Sequence, residues 1–205
     1  AFGLLNTFGA GKTTKLQAYL VIATLFILMW FVGWGGRDID SSHFGNFWGK
    51  GADTVVSMVG VVLISYMGLT KVASVAEEIR NPERNIPLGI LLALAAAVLI
   101  YMTGIAVMVG VVPAEELANT YTPAALAAEL FAGPAGMIAI SIAAIASFLS
   151  VANAGILSAS RYPLAMGRDH IFPKLFRQLG RFGTPMPAIL ATVLLIILEV
   201  VLLDP

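Results

Sequence analysis

The chain of 205 residues is poor in charge and contains no cysteine. Only 12% of its residues are charged, against about 25% in an average soluble domain, and 12 basic residues balance 12 acidic ones. This balance gives no indication of a nucleic acid partner. The absence of cysteine excludes disulfides and thiolate metal sites. His43 and His170, the two histidines, are too few for a metal centre, so we expect neither a metal nor a cofactor.

The sequence also lacks the patterns of a catalytic site. No Gly-x-Ser-x-Gly motif or histidine cluster is present, so we assign no catalytic residue and expect no enzyme. Residues 7–16, TFGAGKTTKL, resemble the end of a phosphate-binding loop. That motif requires a glycine five positions before Gly11, where this chain has Asn6, and a long apolar run follows instead of a soluble helix. Lys12 and Lys15 are better explained as charges that anchor a membrane helix.

Apolar residues are abundant, making up 59% of the chain. A helix that crosses a bilayer needs about 20 mostly apolar residues. Five segments meet this requirement, at about 16–34, 54–79, 87–112, 130–162 and 186–203. Unbroken apolar runs are typical of helices and not of the alternating strands of a membrane barrel. The sequence therefore predicts an all-α membrane protein with five transmembrane helices in a single membrane domain.

The basic residues predict the orientation of these spans, because cytoplasmic loops are enriched in Lys and Arg. One side carries Lys12, Lys15, Arg80, Arg84, Arg161, Arg168, Lys174, Arg177 and Arg181. The other side carries Arg37 and Lys50. We expect a multi-pass protein of the cell membrane, plasma or inner, with the N-terminal end cytoplasmic and the C-terminal end outside. The odd number of spans and the lack of an initiator Met predict a fragment of a longer transporter-like chain.

The second predicted span contains polar and small residues near its middle, namely Ser65, Tyr66, Gly68, Thr70 and Lys71. Glycine weakens a helix, and a charged lysine inside a span is costly unless it faces water or the bundle interior. We therefore expect this helix to be broken near 66–71, since broken helices at this depth line cavities. The alternative is a continuous helix with Gly68 at a packing contact and Lys71 reaching cytoplasmic water.

Three stretches resemble the amino acid–polyamine–organocation (APC) superfamily. The first joins Tyr66-Met67-Gly68, Glu77-Glu78 and the run NPERNIP at 81–87; the second is NAGILSASRYPLAMGRDHIFP at 153–173; a weaker one covers 6–17. The resemblance implies helices five to nine of a fold with two inverted five-helix repeats. It also implies secondary active transport of amino acids or a related amine by alternating access, coupled to protons or by exchange, with the substrate between the first and sixth helices.

The resemblance places the substrate-binding residues in the second span. They are Ile64, Ser65, Tyr66, Met67, Gly68, Leu69 and Thr70. Exposed backbone carbonyls in this stretch would hold an amino group, and the side chains of Ile64 and Leu69 would shape a pocket for the substrate side chain.

The coupling residues are less well defined by the resemblance. Several relatives have a lysine seven residues after the position of Gln17, where this chain has Thr24. Thr24 is therefore a candidate for a cation site with Ser147 and Ser150, since hydroxyl oxygens suit small cations. Small residues on one helix face also indicate close helix packing, which is the alternative. Lys71 is a second candidate, as a charge switch that releases a proton, or it extends to water and stays charged.

Three classes of function are compatible with these residues. The first is the transporter, whose partners would be an amino acid substrate, a coupling proton or cation, membrane lipid and the remaining helices of the full-length transporter. The second is a sensor or assembly subunit on the same fold that does not transport. The third is an intramembrane enzyme, which would need catalytic groups that converge inside the membrane.

Overall fold

The computed structural model describes residues 10–45, 51–180 and 184–203, and these residues are almost entirely helical. The α-helices are α1 (Ala10–Gly35), α2 (Ala52–Tyr66), α3 (Pro82–Val111), α4 (Ala114–Asn119), α5 (Pro123–Ala159), α6 (Arg161–Arg168) and α7 (Met186–Leu202). Three 3-10 helices are present at Ser41–Phe44, Met67–Glu78 and Lys174–Arg177. No strand occurs in these ranges, so the predicted all-α class is confirmed. Asn6, Lys50 and Arg181, used in the sequence analysis, lie outside the described residues.

Three helices of the described chain are long and apolar enough to cross a membrane: Lys15–Gly35, Pro82–Val111 and Pro123–Arg168. Two shorter apolar helical stretches, Asp53–Leu69 and Met186–Leu202, coincide with the second and fifth predicted spans. The side chains of these helices are largely exposed at the surface of the chain, as expected where lipid or further helices cover them. The chain is a membrane protein, and the five-span arrangement stays a prediction.

The chain divides into two compact units. The first, called the core unit, consists of Ile22–Thr70 and Pro87–Ala146. The second, called the terminal unit, consists of Ala1–Val21, Lys71–Ile86 and Ser147–Pro205.

The buried apolar residues of the core unit come mainly from α1, from α3 and the residue after it, and from α5. One cluster of them consists of Phe31, Val107, Val112, Ala127, Ala128 and Ile140. Phe131 packs its ring against Trp30 and Phe31, with ring centroids 5.7 and 5.6 Å apart. The alanines of α5 permit this close approach because they add little bulk, while the aromatic rings fill the remaining volume.

Helix α5 is bent where the sequence predicted a continuous span at 130–162. The helix starts earlier, at Pro123, and Gly133 has non-helical angles of φ 64° and ψ −162°. Pro134 follows and has no N–H to donate to the preceding turn. The bend brings the two halves so close that a Cβ added at Gly136 would overlap the carbonyl oxygen of Ala128. Helix α5 ends at Ala159, before the segment that leads to α6.

Candidate functional site

The backbone changes its helix type at Met67, inside the stretch that the sequence predicted to be broken. Helix α2 ends at Tyr66, and a 3-10 helix of 12 residues continues from Met67 to Glu78. Such helices rarely exceed 3–4 residues, and longer ones often mark hinges or strained sequences. The N–H of Met67 donates to the carbonyl of Ile64, which tightens the last turn of α2. The role of this stretch in substrate binding stays a prediction.

The predicted substrate-binding residues differ in exposure. Ile64 and Met67 are both 65% exposed, and Ser65 is exposed as well. Leu69 is half-buried, and the side chain of Thr70 lies outside the described residues. At Gly68 an added Cβ would meet no atom within 4 Å. Space is therefore open at Gly68, and the pocket at Ile64 and Leu69 stays a prediction.

Ser65 and Tyr66 line a cleft of about 720 Å³ in the core unit. Its other lining residues are Phe44, Val62, Tyr101, Met102, Ile105, Ala106 and Val109. The rings of Tyr66 and Tyr101 meet edge to face, with centroids 5.4 Å apart and planes at 65°. The cleft is mainly apolar, with polar character from Ser65 and the two tyrosine hydroxyls. It has the mixture of apolar walls and a few polar groups that is typical of small-molecule sites.

Tyr101 was not selected from the sequence. The available signal was a tyrosine in an otherwise apolar span, because a tyrosine hydroxyl in apolar surroundings normally needs a hydrogen-bond partner. Its pairing with Tyr66 joins residues 35 positions apart, and the local sequence carries no information about such a contact.

Lys71 is exposed and belongs to the terminal unit. Its backbone carbonyl accepts a hydrogen bond of 2.8 Å from the hydroxyl of Ser74. The Oγ atoms of Ser74 and Ser158 are also hydrogen-bonded, 2.7 Å apart. This bond joins the long 3-10 helix to α5. The side chain that contacts α5 is therefore that of Ser74, a residue that does not stand out in the sequence.

The small polar residues of α5 are partly involved in packing. Ser150 and Ser158 are buried and Ser147 is half-buried. Asn153 is also buried, and its amide nitrogen donates to Oε1 of Gln17 on α1 over 3.4 Å. These contacts of Asn153 and Ser158 support the packing interpretation of this helix face.

The hydroxyl of Thr24 is buried and has no hydrogen-bond partner among the described residues. Thr24 belongs to the core unit, whereas Ser147 and Ser150 belong to the terminal unit. The cation site composed of these three hydroxyls stays a prediction.

Comparison with known proteins gives consistent matches along almost the entire chain. The family of amino acid permeases matches residues 1–203. The methylthioribose transporter of Bacillus subtilis is 28% identical over 178 residues, which cover 86% of this chain and 38% of that protein. The vacuolar cationic amino acid transporter 4 of Arabidopsis thaliana is 30% identical over 203 residues, which cover 92% and 32%. The chloroplastic cationic amino acid transporter 9 of the same plant is 30% identical over 175 residues, covering 83% and 30%. The chain spans about a third of the length of these relatives.

Proposed function

Because the chain belongs to the amino acid permease family, we propose that it forms part of a secondary active transporter that moves amino acids or a related amine by alternating access. The family match confirms the predicted APC resemblance, and it is a family of permeases and not of enzymes, as predicted. The observation that carries the proposal is the change from α to 3-10 helix at Met67 within an apolar segment. In a membrane, such irregular backbone is tolerated where it borders protein or a water-filled cavity.

The end of α2 supplies suitable chemistry for an amino group. The carbonyls near Tyr66 lie where the α-helix changes to the 3-10 helix. The carbonyl of Ile64 accepts from the N–H of Met67, and each carbonyl oxygen has a second lone pair that an ammonium group can use. The open space at Gly68 lets a ligand approach the backbone without meeting a side chain. In this proposal the substrate ammonium binds these carbonyls, and Ile64 and Leu69 contact the substrate side chain once the other helices of the transporter are present.

The experiment is uptake by the full-length protein in proteoliposomes. A panel of radiolabelled arginine, lysine, leucine and methylthioribose covers the substrates named for the relatives together with a neutral amino acid. We expect saturable uptake of at least one amino acid or amine. Binding of such a compound without uptake or exchange would support the sensor alternative, and uptake of methylthioribose alone would contradict the amino acid or amine substrate.

For coupling, we propose that Lys71 is the group whose proton is exchanged during transport. Lys71 directly follows the proposed site in the sequence. Lys71→Gln and Lys71→Arg should both flatten the pH dependence of uptake, while exchange of internal for external substrate persists. An unchanged pH profile in both variants would instead direct attention to Thr24, Ser147 and Ser150.

For location, we propose the cell membrane with the N-terminal end of this chain in the cytoplasm. A single Cys at Ser42 should react with an impermeant reagent from outside, and one at Gln178 only from inside. The reverse pattern would invert the topology. Relatives named for the vacuole or the chloroplast make imaging of the tagged protein a necessary second measurement.

A further inference from the structure

The segment between α5 and α7 connects the C-terminal end of one apolar helix to the N-terminal end of another. Helix α5 ends at Ala159 and α7 begins at Met186. Residues 161–177 of this segment comprise α6, a turn and the 3-10 helix Lys174–Arg177. Wherever α5 and α7 cross the membrane, this segment must lie close to the membrane surface.

The fold of residues 161–177 is tightly constrained. The N–H of Ile171 donates to the carbonyl of Met166 over 2.9 Å, and His170 adopts a positive φ of 61°. This hydrogen bond and the left-handed residue form the turn that commonly closes a helix C-terminus. Gly167 packs closely on the 3-10 helix, since an added Cβ would lie 3.0 Å from the backbone nitrogen of Arg177.

Large apolar side chains are nevertheless exposed on this constrained segment. Ile171 is 71% exposed and Leu175 is 55% exposed, and Phe172 is exposed although its ring contacts Phe176. The closed turn directs Ile171 outwards, so its exposure is a property of the folded segment. In a loop surrounded only by water, such a group of apolar side chains would be unfavourable.

Positive charge accompanies these apolar side chains. Residues 161–177 contain four basic residues and one acidic residue, Asp169, a net charge of +3. Arg168, Lys174 and Arg177 are exposed. A surface that combines cations with exposed Ile, Leu and Phe is typical of segments that bind anionic lipid headgroups while apolar side chains enter the acyl boundary.

We propose that residues 161–177 bind anionic phospholipid headgroups at the cytoplasmic surface of the membrane, through Lys174 and Arg177 together with insertion of Ile171 and Leu175. The proposal rests on the orientation given under the proposed function, because anionic lipids are concentrated in the cytoplasmic leaflet. It does not depend on the substrate or on the coupling group.

Direct lipid titration tests the charged part of this proposal. Fluorescent short-chain phosphatidylglycerol is titrated into the full-length protein in detergent, with the phosphatidylcholine analogue for comparison. Each cation near a lipid surface is worth roughly a fivefold factor, so Lys174→Gln with Arg177→Gln should weaken phosphatidylglycerol binding on the order of 30-fold. Arg84→Gln, an exposed arginine in the first turn of α3, is the matched control and should change binding less than about twofold.

The position of Ile171 tests the apolar part. A Cys at Ile171, in a cysteine-free background, is labelled with an environment-sensitive dye, and the protein is placed in nanodiscs. We expect blue-shifted emission with phosphatidylglycerol, and emission close to that in water with phosphatidylcholine alone. The double Gln variant should lose the shift.

Several results would overturn the proposal. Equal binding of both lipids, or equal loss in the Arg84→Gln control, would exclude headgroup recognition by this segment. Blue-shifted emission in both kinds of nanodisc would show that Ile171 is in apolar surroundings without any need for anionic headgroups. Labelling of Gln178→Cys from outside would refute the orientation. Failure of uptake with intact lipid selectivity would refute the transport function alone, so the two proposals are separable.

Discussion

Two apolar segments of the described chain are interrupted, and the interruptions differ in their cause. In α5, Gly133 has a positive φ and Pro134 cannot donate a backbone hydrogen bond, so the covalent structure enforces the bend. After α2, the change to a 3-10 helix occurs over Met67–Glu78, which contains no proline. The residues of this second interruption do not forbid an α-helix. The comparison indicates that the residues of α5 fix its bend, whereas the long 3-10 helix after Tyr66 is of the kind that often marks a hinge or a sequence under strain.

The largest expected effect is that of Gly68→Leu. In the full-length protein this change should abolish substrate binding, because the leucine side chain would fill the space through which the ligand reaches the backbone. The fold should persist, since the space around Gly68 is open in the described chain. Equilibrium binding of the labelled substrate and gel filtration in detergent measure the two effects.

Gly68→Ala provides the control for that experiment, because it changes the backbone preference with little bulk. It should retain most of the binding. Wild-type affinity in Gly68→Leu would favour the continuous-helix alternative, in which Gly68 serves only as a packing position.

The second prediction concerns the fixed bend. Gly133 adopts angles that are almost exclusive to glycine, so Gly133→Ala should destabilise the protein by about 1–3 kcal/mol. An added Cβ would meet no atom within 4 Å, so the cost is that of the backbone alone. Thermal unfolding in detergent should show a lower Tm, with substrate affinity unchanged. Equal Tm values for Gly133→Ala and Gly68→Ala would remove the distinction between the two interruptions.

The sequence was sufficient for the helical class and for the location of the apolar segments. Both depend on composition and on runs of residues, which are local properties. The bend at Gly133 does not follow from hydropathy, which gives the bounds of the fourth predicted span, although Gly-Pro is a strong local signal of a break. Gly133 and Pro134 lie near the start of that span and indicate a break between it and the residues before it.

The site was predictable only in part. Side chains between Ser65 and Lys71 are unusual for a span, so the stretch itself could be selected from the sequence. The contacts of Tyr66 with Tyr101 and of Ser74 with Ser158 could not, because they join residues 35 and 84 positions apart. Such pairs depend on how the helices pack against one another, and helix packing cannot be derived from a single sequence.

The third prediction tests how the long 3-10 helix is attached. The hydroxyls of Ser74 and Ser158 are 2.7 Å apart, and hydrogen bonds between membrane helices contribute about 0.6 kcal/mol on average and up to about 1.7 kcal/mol. A double-mutant cycle with Ser74→Ala and Ser158→Ala should give a coupling energy in that range. Unfolding in denaturing detergent measures it. Ser141→Ala is the matched control, since the hydroxyl of Ser141 donates within its own helix, to the carbonyl of Met137. Additive effects of the two changes would show that the bond does not stabilise the fold.

The smallest expected effect concerns the short 3-10 helix Ser41–Phe44, a capped counterpart of the long one. The backbone N–H of Ser42 donates to Oδ1 of Asp40 over 2.8 Å, and this bond, followed by that of the Ser42 hydroxyl, lowers the pKa of the Asp40 carboxyl below its ordinary value. A lowered pKa in the folded state means that the cap stabilises fully above about pH 4 and is lost as the pH falls through the folded-state pKa. Selective ¹³C-carboxyl NMR of Asp40 measures the titration.

Two variants of Ser42 separate the two hydrogen bonds to this carboxylate. Ser42→Ala keeps the N–H and should raise the midpoint of the Asp40 titration slightly, whereas Ser42→Pro removes the N–H and should return the midpoint close to the ordinary range. Equal midpoints in the two variants would show that the hydroxyl, and not the backbone cap, holds the carboxylate.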